Sequence, residues 1–265
     1  MEEFITAVTY LLVGLIGLCV GSFLNVVIYR LPNKMSLAKP ASHCPQCGYQ
    51  LKWYDNIPVI SYCILGGKCR SCKKHIPFRY TAVELLNMLL WLACALVFWN
   101  ESVPYACIAM AVCSIGICVT FIDLEHLIIF DRFQIMLLVL GAASIPFDVH
   151  RPWYSHLIGL VAGFAAFWLF AFLGGKMFGR EALGGGDVKL VACIGLLLGW
   201  EKLLLCILLS SIIASIVLLI LRSKRKDEKG REYPFGPFLV LGTAVSMLLG
   251  DRLIDWYMGL LSGAV

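Results

Sequence analysis

The sequence predicts an all-α polytopic membrane protein of about eight transmembrane helices, with one small cytoplasmic module rich in cysteine and basic residues. Three observations predict it. Of 265 residues, 60% are apolar and 15% charged, against about 45–50% and about 25% in an ordinary soluble domain. Mean hydropathy is +0.84. The apolar residues gather into runs close to the roughly 20 residues that cross a bilayer, and the segments between them alternate in charge. Too few charges are present to cover a soluble globule of this size, which speaks against a disordered chain, a coiled coil and a nucleic-acid-binding domain. The net charge of +5 therefore matters for where it sits rather than for its size.

Taken in order, the runs cover about 6–28, 80–98, 103–122, 133–148, 156–178, 188–200, 203–222 and 235–258, the fourth and sixth being short. The first is expected to be a retained span rather than a cleaved signal: Glu2 and Glu3 precede it, and no small-x-small site follows. Residues 30–79 carry Arg30, Lys34, Lys39, Lys52, Lys68, Arg70, Lys73, Lys74 and Arg79 with Asp55 as their only acid, and 222–231 carry Arg222, Lys224, Arg225, Lys226, Lys229 and Arg231. Segments 99–102 and 199–202 hold one basic residue between them, Lys202, and 149–155 adds Arg151. The positive-inside rule places 30–79 and 222–234 in the cytoplasm and both chain ends outside. A polyanion-binding patch is the competing reading of these loops; orientation is preferred because they flank spans. Three regions result: a first transmembrane helix (1–29), the cytoplasmic module (30–79) and a transmembrane core (80–265). On this map loops 122–132 and 179–187, both containing aspartate, also face the cytoplasm.

Within the module, Cys44-Pro45-Gln46-Cys47 and Cys69-Arg70-Ser71-Cys72 are two CxxC knuckles separated by residues 48–68. Four thiolates suit a tetrahedral Zn²⁺, two from each turn. Cytoplasmic thiols stay reduced, which disfavours two disulfides, and no βαβ pattern supports a redox pair. His43 and His75 adjoin the knuckles as alternative ligands. Roughly 50 residues with few large apolar groups cannot build a sufficient core, so a structural zinc would supply the missing folding energy. Cys19, Cys94, Cys113, Cys118, Cys193 and Cys206 lie in apolar runs and read as small core residues.

Asp123 closes the third run, Asp131 opens the fourth, and Asp187 follows Gly184-Gly185-Gly186. Acids beside hydrocarbon are costly and tend to mark function. Two that converge can share one proton, one activating water while the other polarises a peptide carbonyl. The glycines would let an extended substrate backbone approach. Each acid also has a bland reading as an interfacial helix cap: Asp131 reads as an N-cap, and Lys189 is placed to pair with Asp187.

These pieces together resemble a known family. Gly21-Ser22-Phe23-Leu24-Asn25-Val26, the two knuckles, Asp55-Asn56-Ile57-Pro58, Arg79-Tyr80-Thr81-Ala82-Val83-Glu84, Asp123, Gly184-x-Gly186-Asp187 and Phe235-Gly236-Pro237-Phe238 occur in this order along nearly the whole chain. The chain resembles the type IV prepilin peptidases, bifunctional leader peptidase/N-methyltransferases of type IV pilus, type II secretion and competence systems, which are GxGD aspartic proteases of the bacterial inner (plasma) membrane. The resemblance implies that Asp123 and Asp187 are the catalytic pair, that Asp131 is the family's second, non-catalytic aspartate (here preceded by Phe130 where the family has proline), and that Cys44, Cys47, Cys69 and Cys72 carry zinc. It implies cleavage of prepilins or pseudopilins after Gly at the cytoplasmic face. N-methylation of the new N-terminal residue, usually Phe, by S-adenosyl-L-methionine would follow. No glycine-rich cofactor fold is visible for that step. Gly21, Asn25 and Arg30 are candidates for the pocket, although Gly21 also suits helix packing and Arg30 an interfacial anchor. The competing readings are a peptidase that does not methylate, a transporter with a regulatory zinc module, and a zinc-dependent assembly factor without catalysis.

Overall fold

A computed structural model describes residues 1–178, 183–224 and 233–262. The helices are α1 (Glu2–Arg30), the short α2 (Ile60–Ile64), α3 (Arg79–Phe98), α4 (Val103–His126), α5 (Asp131–Ser144), α6 (Trp153–Phe178), α7 (Gly185–Lys224) and α8 (Gly236–Ser262). Among the described residues there is no strand, only the isolated bridges His43–Gln50 and Lys68–His75. Glu181 of the loop 179–187 and Arg225, Lys226, Lys229 and Arg231 of the basic segment lie outside the described residues.

Six helices are long and apolar enough to cross a membrane: α1, α3, α4, α6, α7 and α8. The predicted fourth run is α5, whose 14 residues reach only about 21 Å at 1.5 Å per residue, short of a hydrocarbon core of about 30 Å. The predicted sixth and seventh runs are the two arms of α7. Gly199 interrupts that helix at φ 77°, ψ 167°. A Cβ on Gly163 of α6 would lie within 3.2 Å of Val191 O and 3.0 Å of Leu203 Cδ2. Twelve residues of straight helix would hold those two about 18 Å apart, so the chain doubles back at Gly199. Only glycine suits that corner: its φ is left-handed, and a Cβ there would sit 2.7 Å from Ser155 Oγ. Gly159 and Gly195 let α6 and the first arm of α7 pack backbone to backbone.

The chain falls into two compact units, Met1–Val97 and Phe98–Val265. The division expected between residues 79 and 80 lies inside the first unit, because α3 packs along α1. Cβ atoms on Gly14, Gly17 and Gly21 would meet Leu92, Met88 and Glu84 in turn, at 3.7, 3.1 and 2.7 Å, so the two helices run antiparallel. Buried Asn87 donates to Gly17 O at 2.7 Å across the same seam.

Candidate functional site

In the second unit, α4 ends at His126, and Leu127 takes the left-handed conformation (φ 55°), its N–H returning to Asp123 O at 2.9 Å. This turn sets Asp123 in the last turn of the helix, 5% exposed. Asp123 Oδ2 accepts the N–H of Gly236, the first residue of α8, at 3.1 Å. A Cβ on Gly236 would stand 2.5 Å from that same oxygen, so the backbone of α8 reaches the carboxylate only because residue 236 is glycine. Asp187 lies in the first turn of α7, its N–H bonded to Gly184 O at 3.0 Å. Among the described residues its buried Oδ1 has no partner.

Ile129 joins the two ends. Cβ atoms on Gly186 and Gly236 would lie 3.2 Å and 3.3 Å from its side chain. The starts of α7 and α8 thus converge beside Asp123, with Asp187 next in the chain to Gly186. Two helix N-termini, each with a partial positive charge, supply the polar surroundings at this spot.

Asp131 is not brought into this pair. It begins α5 rather than capping it: the N-cap is Phe130, without a side-chain bond, at φ −70°, ψ 134°. That φ is the value a proline would impose, so Phe130 preserves the local backbone where the family has proline. Asp131 Oδ1 binds Lys189 Nζ at 2.7 Å in an exposed pair. Lys189 is thereby held on Asp131, not on Asp187 as the sequence allowed. Gln134 escaped the sequence reading. Its Nε2 donates to Gly186 O at 3.0 Å and pins the turn that carries Asp187. A lone amide in the apolar run 133–148 was the available signal.

In the first unit, the four thiols of Cys44, Cys47, Cys69 and Cys72 lie within 4.8 Å of one another. Cys44 Sγ and Cys72 Sγ are 3.9 Å apart, close to the edge of about 3.8 Å for a tetrahedron with Zn–S bonds of about 2.3 Å. All four are free thiols, which sets the disulfide reading aside. The knuckles repeat one design: Gly48 N–H returns to Cys44 O and Lys73 N–H to Cys69 O, with positive φ at both residues. His43 and His75 are outside the cluster. Asp55 welds the knuckles together. Its buried carboxylate takes Arg70 Nε at 2.7 Å, Lys52 N–H at 3.2 Å and Tyr49 Oη–H at 3.3 Å. Burial alone would push this carboxyl up; the Arg70 contact and the Lys52 N–H outweigh it and hold Asp55 below the usual carboxylate range.

The pocket candidates separate. Gly21 is a packing residue, since a Cβ there would strike the Glu84 backbone. Arg30 is buried and spends its guanidinium on Ser36 O, Leu37 O and Pro40 O at 2.9, 3.2 and 2.6 Å. Asn25 lines a cavity of about 630 Å³ between the first-unit helices and the module, and its Oδ1 is buried without a partner.

Fold and site define a helical, multi-pass membrane protein with two acids meeting at the helix ends of its second unit and a four-cysteine cluster in its first. Residues 15–98 match the model of the bacterial peptidase A24 N-terminal domain, and 109–219 that of the type IV leader peptidase family. The chain is 35% identical over 268 residues to a prepilin leader peptidase/N-methyltransferase of Pseudomonas aeruginosa, covering 92% of this chain and 91% of that one. It is 40% identical over 231 residues to the Myxococcus xanthus protein of the same name (83% and 67% covered) and 33% over 274 residues to that of Legionella pneumophila (94% and 94%). No solved structure matches the chain. The chain belongs to the type IV leader peptidase family.

Proposed function

We propose that the protein is a prepilin leader peptidase and N-methyltransferase whose peptidase centre is Asp123 and Asp187. The observation that carries this reading is the convergence, around Gly236 and Ile129, of the segments that bear the two carboxylates. One carboxylate, ionised, takes a proton from water, and the resulting oxygen attacks the carbonyl carbon of the leader's last glycine. The other, protonated, donates to the carbonyl oxygen as it becomes tetrahedral. Collapse breaks the C–N bond, and a proton passes to the leaving amine. The products are a leader ending in glycine and a pilin with a new N-terminal amine, usually of Phe. The glycines beside both acids leave room for an extended chain. The basic loops favour cytoplasmic cleavage by the positive-inside rule. Substrates are prepilins or pseudopilins, the setting is the bacterial inner membrane, and no nucleic acid is involved.

The four thiols fit Zn²⁺ as a structural ion that holds the two knuckles together. S-adenosylmethionine, when bound, supplies the methyl group for the new amine, and the orphaned Asn25 Oδ1 in the first-unit cavity fits a polar ligand of this kind. Incubating membranes with prepilin tests the reading: mass spectrometry should find cleavage after the glycine and an added methyl on the mature N-terminus. A cleaved but unmethylated product with cofactor present would leave a peptidase alone. Cleavage that collapses with an ion gradient would favour the transporter reading. Metal analysis should find one zinc per chain, lost in Cys44→Ser.

A further inference from the structure

A buried carboxyl group with no cationic partner among the described residues lines the cavity of the first unit. Glu84 lines it and is 8% exposed. Its Oε2 accepts Val59 N–H at 2.8 Å, and the Ser22 hydroxyl also bonds to it. Among the described residues it forms no ion pair. Beside it on the same wall is Asn25, 5% exposed, which gives its amide N–H groups to Tyr80 O and Gly21 O and keeps Oδ1 unpaired. The cationic side chains of the lining are committed elsewhere: Arg30 to three carbonyls, Arg70 to Asp55, and Lys74 to Gln46 Oε1. A buried acid and a buried orphan acceptor on one wall call for a cation from outside. Phe23, Tyr29, Tyr62 and Tyr80 supply aromatic lining, and 630 Å³ lies within the range of small-molecule sites.

Resting on the methyl-transfer reading above, we propose that this cavity holds S-adenosylmethionine, with the Glu84 carboxylate and Asn25 Oδ1 facing its sulfonium. The amino-acid end of the cofactor carries a carboxylate of its own and would bring a second negative charge to Glu84. The sulfonium brings a positive charge alone. Glu84 is a binding residue here; no proton transfer is assigned to it.

The test is direct binding of S-adenosylmethionine and of S-adenosylhomocysteine, which lacks the methyl and the positive sulfur, to the full-length protein in detergent. Wild type should prefer the sulfonium compound. Glu84→Gln keeps the shape and the Val59 bond. It should weaken S-adenosylmethionine binding about tenfold or more, leave S-adenosylhomocysteine binding within about twofold, and retain prepilin cleavage. Equal S-adenosylmethionine affinity in variant and wild type overturns the assignment while methylation by the wild type still stands. A wild type that binds neither compound overturns both. Should Glu84→Gln lose cleavage and fold together, ultraviolet cross-linking of labelled S-adenosylmethionine to wild type decides. Label on residues 19–30 or 77–84 supports the site, and label confined to 98–262 overturns it.

Discussion

The second unit carries acids at both ends, and the two ends treat them differently. Beyond the Gly199 corner, Lys202 is 2% exposed and its ammonium meets Asp251 Oδ2 at 2.5 Å. Arg151 binds the same carboxylate and lies 3.6 Å from Glu201 Oε2, which also accepts from Ser155 at 2.7 Å. Asp251 sits 15 residues along α8 from Gly236, about 22 Å away. At the Gly236 end, among the described residues, Asp123 receives one backbone N–H and Asp187 Oδ1 receives nothing, while the neighbouring Lys189 is turned to Asp131. Charges that are matched fasten helices to one another. Charges left unmatched near hydrocarbon lower stability.

The largest expected effect separates these roles most sharply. Asp123→Asn or Asp187→Asn should lower prepilin cleavage by at least about 10³-fold, with the melting temperature unchanged or raised, because an unpaired acid has been removed. Cleavage of prepilin in membranes and a melt in detergent read both quantities. At the matched end the pattern should invert. Lys202→Met, which leaves Asp251 with Arg151 alone, should cost about 1.5–3 kcal/mol of stability while each folded molecule cleaves at the wild-type rate.

A smaller effect is expected at Gly236. A methyl there displaces the Asp123 carboxylate by the width of one contact, and a misplacement of about 1 Å lowers turnover about 10²-fold; kcat should fall more than KM rises. The smallest concerns the module. Asp55 is held below the usual carboxylate range, so its contribution is complete above its unfolded value of about 3.9 and is lost as pH falls through the lower folded value. Hydrogen exchange over 42–76 should show Asp55→Asn less protected than wild type by a constant margin between pH 5 and 7, the margin closing only below about pH 4. A margin that changes between pH 5 and 7 would mean that another group carries the coupling.

Much of this was readable along the chain. The eight apolar runs became helical segments because length and apolarity are local properties, and the CxxC spacing delivered four thiols to one point because each turn closes on itself. The acids at run ends were legible as candidates by their cost. Glu84, Lys202 and Asp251 gave the same signal, an ionisable residue in or beside an apolar run. One dimension cannot say which of these finds a partner. Arg30 reads in the sequence as a pocket residue or an interfacial anchor, but three carbonyls occupy it, and Lys189 reads as a partner for Asp187 but binds Asp131.

The sequence by itself determined that this chain lives in a bilayer, that its module gathers four thiols, and that acids stand beside hydrocarbon. Each rests on composition or on spacings of a few residues. The tertiary structure decided that the chain reverses at Gly199, that Asp123 and Asp187, 64 residues apart in the chain, meet around Gly236, and that Glu84 faces a cavity without a counter-charge. Those outcomes depend on which helices lie side by side, and helix packing is fixed by long-range contacts that no local pattern encodes.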